Sequence, residues 1–183
     1  YGFGYSEKLR FFAQTSYGER ISSQAGRSWG WDTLGASVGA EGEFTDKLTG
    51  TVQLGYQQQT SQITGSGGGT PTVTLELEQL LGKRTLLTLA YTRRNQVNID
   101  AVSAGSVSDS VRLTLSRALG NRQKWFASIF ASMRQKDYSG TQGSGPNRSD
   151  QALSLGSSLD YRIQEWMSAQ LSYSYANFSA QLP

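Results

Sequence analysis

Hydrophobic and polar residues alternate along most of this chain, and the alternation is interrupted at regular intervals. Five short polar breaks begin at Ser6, Thr45, Gly82, Gly120 and Gln164, and their first residues lie 39, 37, 38 and 44 positions apart. Side chains that return to one face at every second residue have the period of a β-strand. The pattern therefore predicts a series of strands joined by tight turns, with no long helix.

A longer and less regular polar stretch separates each consecutive pair of breaks, at residues 19–32, 60–71, 96–106 and 138–150. Short turns that alternate with long loops are typical of an up-and-down transmembrane β-barrel, whose short turns are periplasmic and whose long loops lie outside. The sequence thus predicts an all-β, antiparallel, up-and-down transmembrane β-barrel. About ten strand segments are expected, in a single domain over residues 1–183 without an internal linker.

The alternation also assigns residues to two faces. One parity is apolar, and Leu54, Leu89, Leu113 and Leu155 are expected to point outward at mid-strand. The other parity is rich in Ser, Thr, Gln and Gly, as the interior of a membrane barrel is. The charged residues of this polar parity are predicted to line the pore: Arg10, Glu41, Glu43, Glu76, Glu78, Arg112, Arg134, Lys136, Asp160 and Arg162.

A soluble β-sandwich shows the same alternation of polar and apolar residues, so alternation alone does not distinguish it from a membrane barrel. The positions of the aromatic residues favour the membrane barrel. Tyr17, Tyr56 and Tyr91 lie toward the long-loop ends of their strands, whereas Trp125 and Trp166 lie toward the tight turns. Two aromatic sets separated by aliphatic residues are the girdles of the two membrane interfaces. No run of about 18 apolar residues occurs, which excludes a helical span.

The composition of the chain excludes several kinds of catalytic and metal site. The chain has no Cys and no His, so the usual zinc ligands and the Cys/His and Ser-His-Asp nucleophilic sites are excluded. We therefore expect no enzymatic activity, no metal and no cofactor. The hydrophobic fraction is 37%, below the 45–50% of an average soluble domain. The net charge of +3 is spread along the chain and predicts no nucleic-acid partner.

Two groups of charges have alternative interpretations. The carboxylates in Glu41/Glu43 and Glu76/Glu78 could form a cation site or an acid/base pair, but pairing with Arg10, Arg112 or Arg162 across the sheet is favoured. The basic groups Arg93/Arg94 and Arg134/Lys136 could attract an anionic polymer or meet lipopolysaccharide phosphates, and they could equally form a solvated face.

The strand order predicts that the barrel is larger than this sequence. If the tight turns are periplasmic, residues 1–5 end a descending strand and the strand from Met167 ascends. Both ends of the sequence would then lie outside or in mid-membrane, whereas single-chain bacterial barrels have an even number of strands and both termini on the periplasmic side, so further strands are expected to complete the wall.

The residues Leu159-Asp160-Tyr161-Arg162-Ile163, followed by a short turn and a strand with Tyr173-Ser174-Tyr175, resemble a hairpin of the β-barrel porin type 2 group. These outer-membrane proteins are associated with exopolysaccharide export in Gram-negative bacteria. The hairpin at residues 111–130 is also similar to those of fimbrial usher barrels. The resemblance implies a bacterial outer-membrane location, with membrane lipid and lipopolysaccharide as partners, and exopolysaccharide or a secretion-system protein as further ones.

The first functional hypothesis is a channel that passes solute or secreted polysaccharide through a polar lumen without covalent chemistry. The alternative is a barrel that anchors or assembles another polypeptide, as a usher or translocator does. A soluble all-β adhesin is the third hypothesis.

Overall fold

The computed structural model describes residues 2–4, 8–24, 27–62, 65, 67–96, 103–120, 124–140 and 148–181. All regular secondary structure in these ranges is β-strand, and none of them contains a helix that is long and apolar enough to cross a membrane. The strands are β1 (Gly2–Gly4), β2 (Leu9–Gln24), β3 (Arg27–Thr45), β4 (Leu48–Ser61), β5 (Gly67–Leu80), β6 (Thr85–Gln96), β7 (Ser103–Leu119), β8 (Trp125–Gly140), β9 (Arg148–Gln164) and β10 (Met167–Gln181).

The ten strands form one antiparallel sheet in which each strand pairs with its neighbours in sequence, from β1 to β10. This confirms the all-β, up-and-down part of the predicted fold. The sheet is open: among the described residues β1 pairs only with β2, and β10 pairs only with β9. The structure therefore has two free edges and is not closed into a barrel.

The tight turns lie where the polar breaks predict them. β3 and β4 are joined at Asp46-Lys47, and β9 and β10 at Glu165-Trp166. Residues 81–84 connect β5 to β6, which agrees with the break that begins at Gly82. The breaks that begin at Ser6 and Gly120 fall partly outside the described residues.

The long irregular stretches were predicted too broadly. β2 continues to Gln24 and β3 begins at Arg27, so most of residues 19–32 is paired strand. The other three stretches are shortened in the same way, because β5, β7 and β9 begin at Gly67, Ser103 and Arg148. Backbone pairing continues through these polar residues because the ladder hydrogen bonds need no apolar side chain.

The register of the sheet divides the residues into two faces, because directly opposed residues of neighbouring strands point to the same side. The polar face contains the connected row Arg10, Glu41, Thr51, Glu76, Ala90, Arg112, Ser132 and Ser154. The apolar face contains the adjacent row Phe11, Ala40, Val52, Leu75, Tyr91, Val111, Met133 and Leu153. Leu54, Leu89, Leu113 and Leu155 all belong to the apolar face, as predicted.

Within the described ranges, neither face of the sheet is covered by a second layer. The described part of the chain contains no buried hydrophobic side chain, and the apolar face is strongly exposed: Leu54 is 54% and Leu155 is 47% accessible. On the same strands the polar-face residues Gln53, Gln57 and Gly156 are less exposed than their apolar neighbours. Closer mutual screening of polar-face side chains indicates that the sheet curves toward this face.

At Gly82, in the turn between β5 and β6, glycine is required by backbone conformation alone. Gly82 has φ +86°, and a Cβ placed on it would meet nothing within 4 Å. A left-handed conformation costs an L-residue about 1–2 kcal/mol. We expect Gly82→Ala to lower the free energy of unfolding by about that amount.

Gly68 provides the matched control, because it also has open space around its Cβ position but no positive φ. Gly68→Ala should be neutral or stabilise by about 0.4–1 kcal/mol. Equilibrium denaturation measures the free energy of unfolding of both variants. Equal changes at Gly82 and Gly68 would show that the left-handed backbone conformation of Gly82 does not require glycine.

Candidate functional site

All ten charged residues predicted to line a pore lie on the polar face. Arg10 is opposite Glu41, and Glu76 is separated from Arg112 by Ala90 along one row. The remaining members follow by the same register on β3, β5, β8 and β9: Glu43, Glu78, Arg134, Lys136, Asp160 and Arg162. The site is therefore one continuous polar surface that spans the sheet.

Negative charge is concentrated on β3 and β5, where Glu41, Glu43, Glu76 and Glu78 form an acidic strip. Two of these carboxylates are neutralised. Arg10 Nη2 donates to Glu41 Oε1, and Lys8 Nζ lies 3.3 Å from Glu43 Oε2.

The remaining acidic residues have no such partner. Within the described ranges, the side chains of Glu76 and Glu78 make no hydrogen bond or ion pair. The predicted pairing of carboxylates with arginines across the sheet thus holds for Arg10 and fails for Arg112 and Arg162. The reason is the register: Ala90 separates Arg112 from Glu76, at about 10 Å for two strand spacings.

Positive charge is concentrated on β7 to β9, where Arg112, Arg134, Lys136 and Arg162 form a basic strip. Two of these guanidinium groups contact aromatic rings in place of carboxylates. The Arg112 Cζ atom lies 3.9 Å from the centroid of the Phe130 ring, and that of Arg162 lies 5.5 Å from the centroid of Phe126. Such contacts stabilise a cation without neutralising it.

Phe126 and Phe130 were not among the predicted site residues. Their positions in the alternating sequence of β8 do predict the polar face, because both share parity with Ser128 and Ser132. Phenylalanine is apolar, so hydrophobicity alone does not assign it to a polar face. Tyr138 has the same parity and lies 4.7 Å from Lys136 Nζ, measured to the ring centroid.

Glycines make room for the phenylalanine rings. Phe12 is opposite Gly39 and Phe130 is opposite Gly156, and a Cβ on either glycine would overlap the partner ring. Each ring therefore lies low over the backbone of the neighbouring strand. Such cross-strand pairs compensate for the missing glycine side chain and fix the register.

The uncharged part of the polar face carries hydroxyl and amide groups. Gln53 Nε2 donates to Ser37 Oγ at 2.7 Å, and the hydroxyls of Ser128 and Ser158 lie 2.8 Å apart. A shallow depression on this face is lined mainly by Gln14, Ser16, Ser37, Gln53, Gln57 and Thr72. The polar face can accordingly hydrogen-bond water or hydroxylated solutes over its whole width.

Near the start of β9 the charges are compensated locally. Arg148 donates to both carboxylate oxygens of Asp150, at 2.7 and 2.9 Å, and this hydrogen bonding lowers the pKa of Asp150. Across the described ranges, no group of three or more acidic side chains is placed to hold a metal ion. The polar face thus offers hydrogen bonding and a separated charge distribution.

Searches of protein-family models, curated proteins and solved structures return no match to this chain.

Proposed function

We propose that this chain forms wall strands of an outer-membrane β-barrel channel, with the polar face toward a water-filled lumen and the apolar face toward lipid. The observation that carries the proposal is the exposed apolar face of a single-layer sheet. A soluble domain buries such a face against a second layer. Lipid hydrocarbon covers it equally well, and membrane barrels have this apolar-out, polar-in arrangement.

The stagger of the strands supports a barrel. Starting from Leu9, the first residue of β2, successive partners lead across the sheet to Tyr175. Tyr175 lies eight residues beyond Met167, the first residue of β10. A shift of one residue per strand corresponds to a tilt of about 35° for a 3.4 Å rise and a 4.8 Å strand spacing. Membrane barrels have strand tilts of about 35–45°.

The apolar face has the height of a membrane. On β4 it is apolar or glycine from Leu48 to Tyr56, and on β8 from Trp125 to Met133. Eight residue steps at this tilt span about 22 Å, close to the ~25 Å apolar band of outer-membrane proteins. Farther from the tight turns the same face becomes polar on most strands: Glu19, Asp32, Gln58, Asn95, Asp109, Gln135, Gln151 and Asn177.

Aromatic residues mark both limits of this band. At the upper limit the hydroxyl of Tyr17 donates to Asp32 at 3.2 Å, and that of Tyr91 donates to Asp109 at 2.7 Å. At the tight-turn limit the rings of Trp125 and Tyr161 stack with centroids 4.2 Å apart. Aromatic side chains with an apolar body and a polar tip suit the two membrane interfaces.

The open edges impose a condition on this proposal. Unpaired backbone groups are not tolerated in hydrocarbon, so the free edges of β1 and β10 must pair in the membrane. Additional strands of the same polypeptide or of neighbouring copies would satisfy them. We therefore expect the assembled channel to contain more strands than the sheet described here.

The channel would discriminate by size and charge without covalent chemistry. The acidic strip on β3 and β5 and the basic strip on β7 to β9 would set a field across the lumen. The resemblance of the β9–β10 hairpin to exopolysaccharide-associated porins favours an exported polysaccharide as the cargo. Lipopolysaccharide would contact the polar end of the apolar face.

The proposal is tested with the full-length protein in detergent and in planar bilayers. We expect extraction only with detergent, a heat-dependent shift in gel mobility, and stepwise ion conductance after insertion. Insertion without conductance would replace the channel by a barrel that anchors or assembles another polypeptide. Recovery of folded protein in the soluble fraction without detergent would refute both membrane functions.

A further inference from the structure

We propose that the basic strip binds an anionic polysaccharide whose sugar units carry carboxylates, with Arg112, Arg134 and Arg162 as the recognition residues. This inference rests on the proposed channel function and names its cargo. Its starting point is the state of the arginines on β7 to β9: Arg112, Arg134 and Arg162 have no ion-paired carboxylate among the described residues, whereas Arg10 on β2 is paired with Glu41.

The positive charge of these arginines remains available to a ligand. Among the described residues, no carboxylate lies within ion-pair distance of Arg112, Arg134 or Arg162, and all three side chains are exposed. A guanidinium group presents several N–H donors in a plane, which suits two-point binding of a carboxylate. A row of such groups without ion-paired carboxylates attracts anions from solution. Asp160 lies on the same face two residues from Arg162, but it accepts a hydrogen bond from Ser158 and forms no ion pair with Arg162.

Arg112 is held in place by packing. Gly156 leaves space for the Phe130 ring, and the Arg112 guanidinium lies over that ring at 3.9 Å. The ring restrains the guanidinium group and leaves its polar edges free. Less conformational entropy is then lost when a carboxylate binds.

The strip is extended, which favours a polymer over a small anion. Arg112 and Arg134 are diagonal neighbours on β7 and β8, at about 7–8 Å. The two phenylalanines that contact Arg112 and Arg162 are four residues apart on β8, or about 13 Å.

The residues between the arginines favour a sugar. Ser110, Ser132 and Ser154 surround Arg112 and Arg134 in the register of β7 to β9. Their hydroxyl groups can donate to and accept from sugar hydroxyls between charged units. Alternating guanidinium and hydroxyl groups match a hydroxylated polyanion.

The test uses the full-length protein in planar bilayers at about 0.1 M salt, where charges are screened beyond about 10 Å. Oligogalacturonate is the anionic probe, and a malto-oligosaccharide of equal length is the neutral probe. We expect oligogalacturonate to block the ion current at concentrations at least roughly tenfold lower. The difference should shrink at 1 M salt, where the Debye length is about 3 Å.

The variant Arg112→Gln/Arg134→Gln should lose most of this preference, while its block by malto-oligosaccharide stays the same. Arg117→Gln is the matched control, because Arg117 lies on the same strand as Arg112 but on the apolar face. Arg117→Gln should keep the preference of the unmodified protein for block by oligogalacturonate.

Equal block by both probes in a conducting protein would overturn the anionic cargo and leave the channel function intact. Unchanged preference in the double variant would overturn the role of these arginines. A protein that inserts and never conducts would refute the channel itself, which separates the two failures.

Discussion

Replacement of Leu113 by arginine is expected to lower the free energy of unfolding in lipid vesicles by about 2–4 kcal/mol. Leu113 lies on the apolar face at mid-strand, opposite Leu89 on one side and Ala131 on the other. Its side chain is 46% exposed in the sheet, so the proposed lipid contact would be lost directly. A guanidinium group near the bilayer midplane is costly because it loses hydration.

Thr114→Arg is the control, because Thr114 is the next residue on the same strand and faces the polar side opposite Phe130. The same side chain is expected there to change stability by less than about 1 kcal/mol, as solvated surface substitutions do. Denaturant titration of both variants in vesicles gives the comparison. A loss at Thr114 as large as that at Leu113 would contradict the assignment of the apolar face to lipid.

The division into two faces was predictable because it is encoded locally. In Leu113-Thr114-Leu115-Ser116 the polarity of each residue indicates which face of the sheet it lies on, and no knowledge of the neighbouring strand is needed. The meander order was predictable for a related reason. Breaks of two or three residues, such as Asp46-Lys47, allow only an antiparallel hairpin between adjacent segments.

Strand ends in the polar stretches were less predictable. Arg20 pairs with Trp31 and Gln24 with Arg27, although this region has no clean alternation. A polar strand that is solvated on both faces is held by its backbone ladder, and its sequence carries little hydrophobic signal. Pairing begun at mid-strand can therefore extend farther than composition suggests.

The charge partners depended on register, which single-strand patterns do not contain. The sequence shows that Arg10, Arg112 and Arg162 share the polar parity with several glutamates. Only the pairing of β2 with β3 reveals that Arg10 is opposite Glu41, and only the β5 to β7 register places Ala90 between Glu76 and Arg112. The contact of Arg112 with Phe130 further requires the space above Gly156.

The two unpaired carboxylates of the acidic strip should dominate the ion selectivity of the channel. Glu41 and Glu43 are close to Arg10 and Lys8, whereas Glu76 and Glu78 lack any such cation in the described part of β2 to β9. Their field would act on the lumen without local compensation. Glu76 is opposite Thr51 and Ala90, and Glu78 is opposite Thr49 and Thr88. Their replacement therefore breaks no side-chain hydrogen bond or ion pair.

The variant Glu76→Lys/Glu78→Lys is expected to lower the ratio of cation to anion permeability roughly twofold or more at 0.1 M salt. The effect should diminish at 1 M salt, because the Debye length falls from about 10 Å to about 3 Å. Glu165→Lys is the control: it reverses a charge in the exposed turn between β9 and β10, outside the strands. Reversal potentials under a KCl gradient give the ratio of cation to anion permeability for the unmodified protein, the double variant and the control. Equal permeability ratios for the unmodified protein and the double variant would exclude these carboxylates from the conduction pathway.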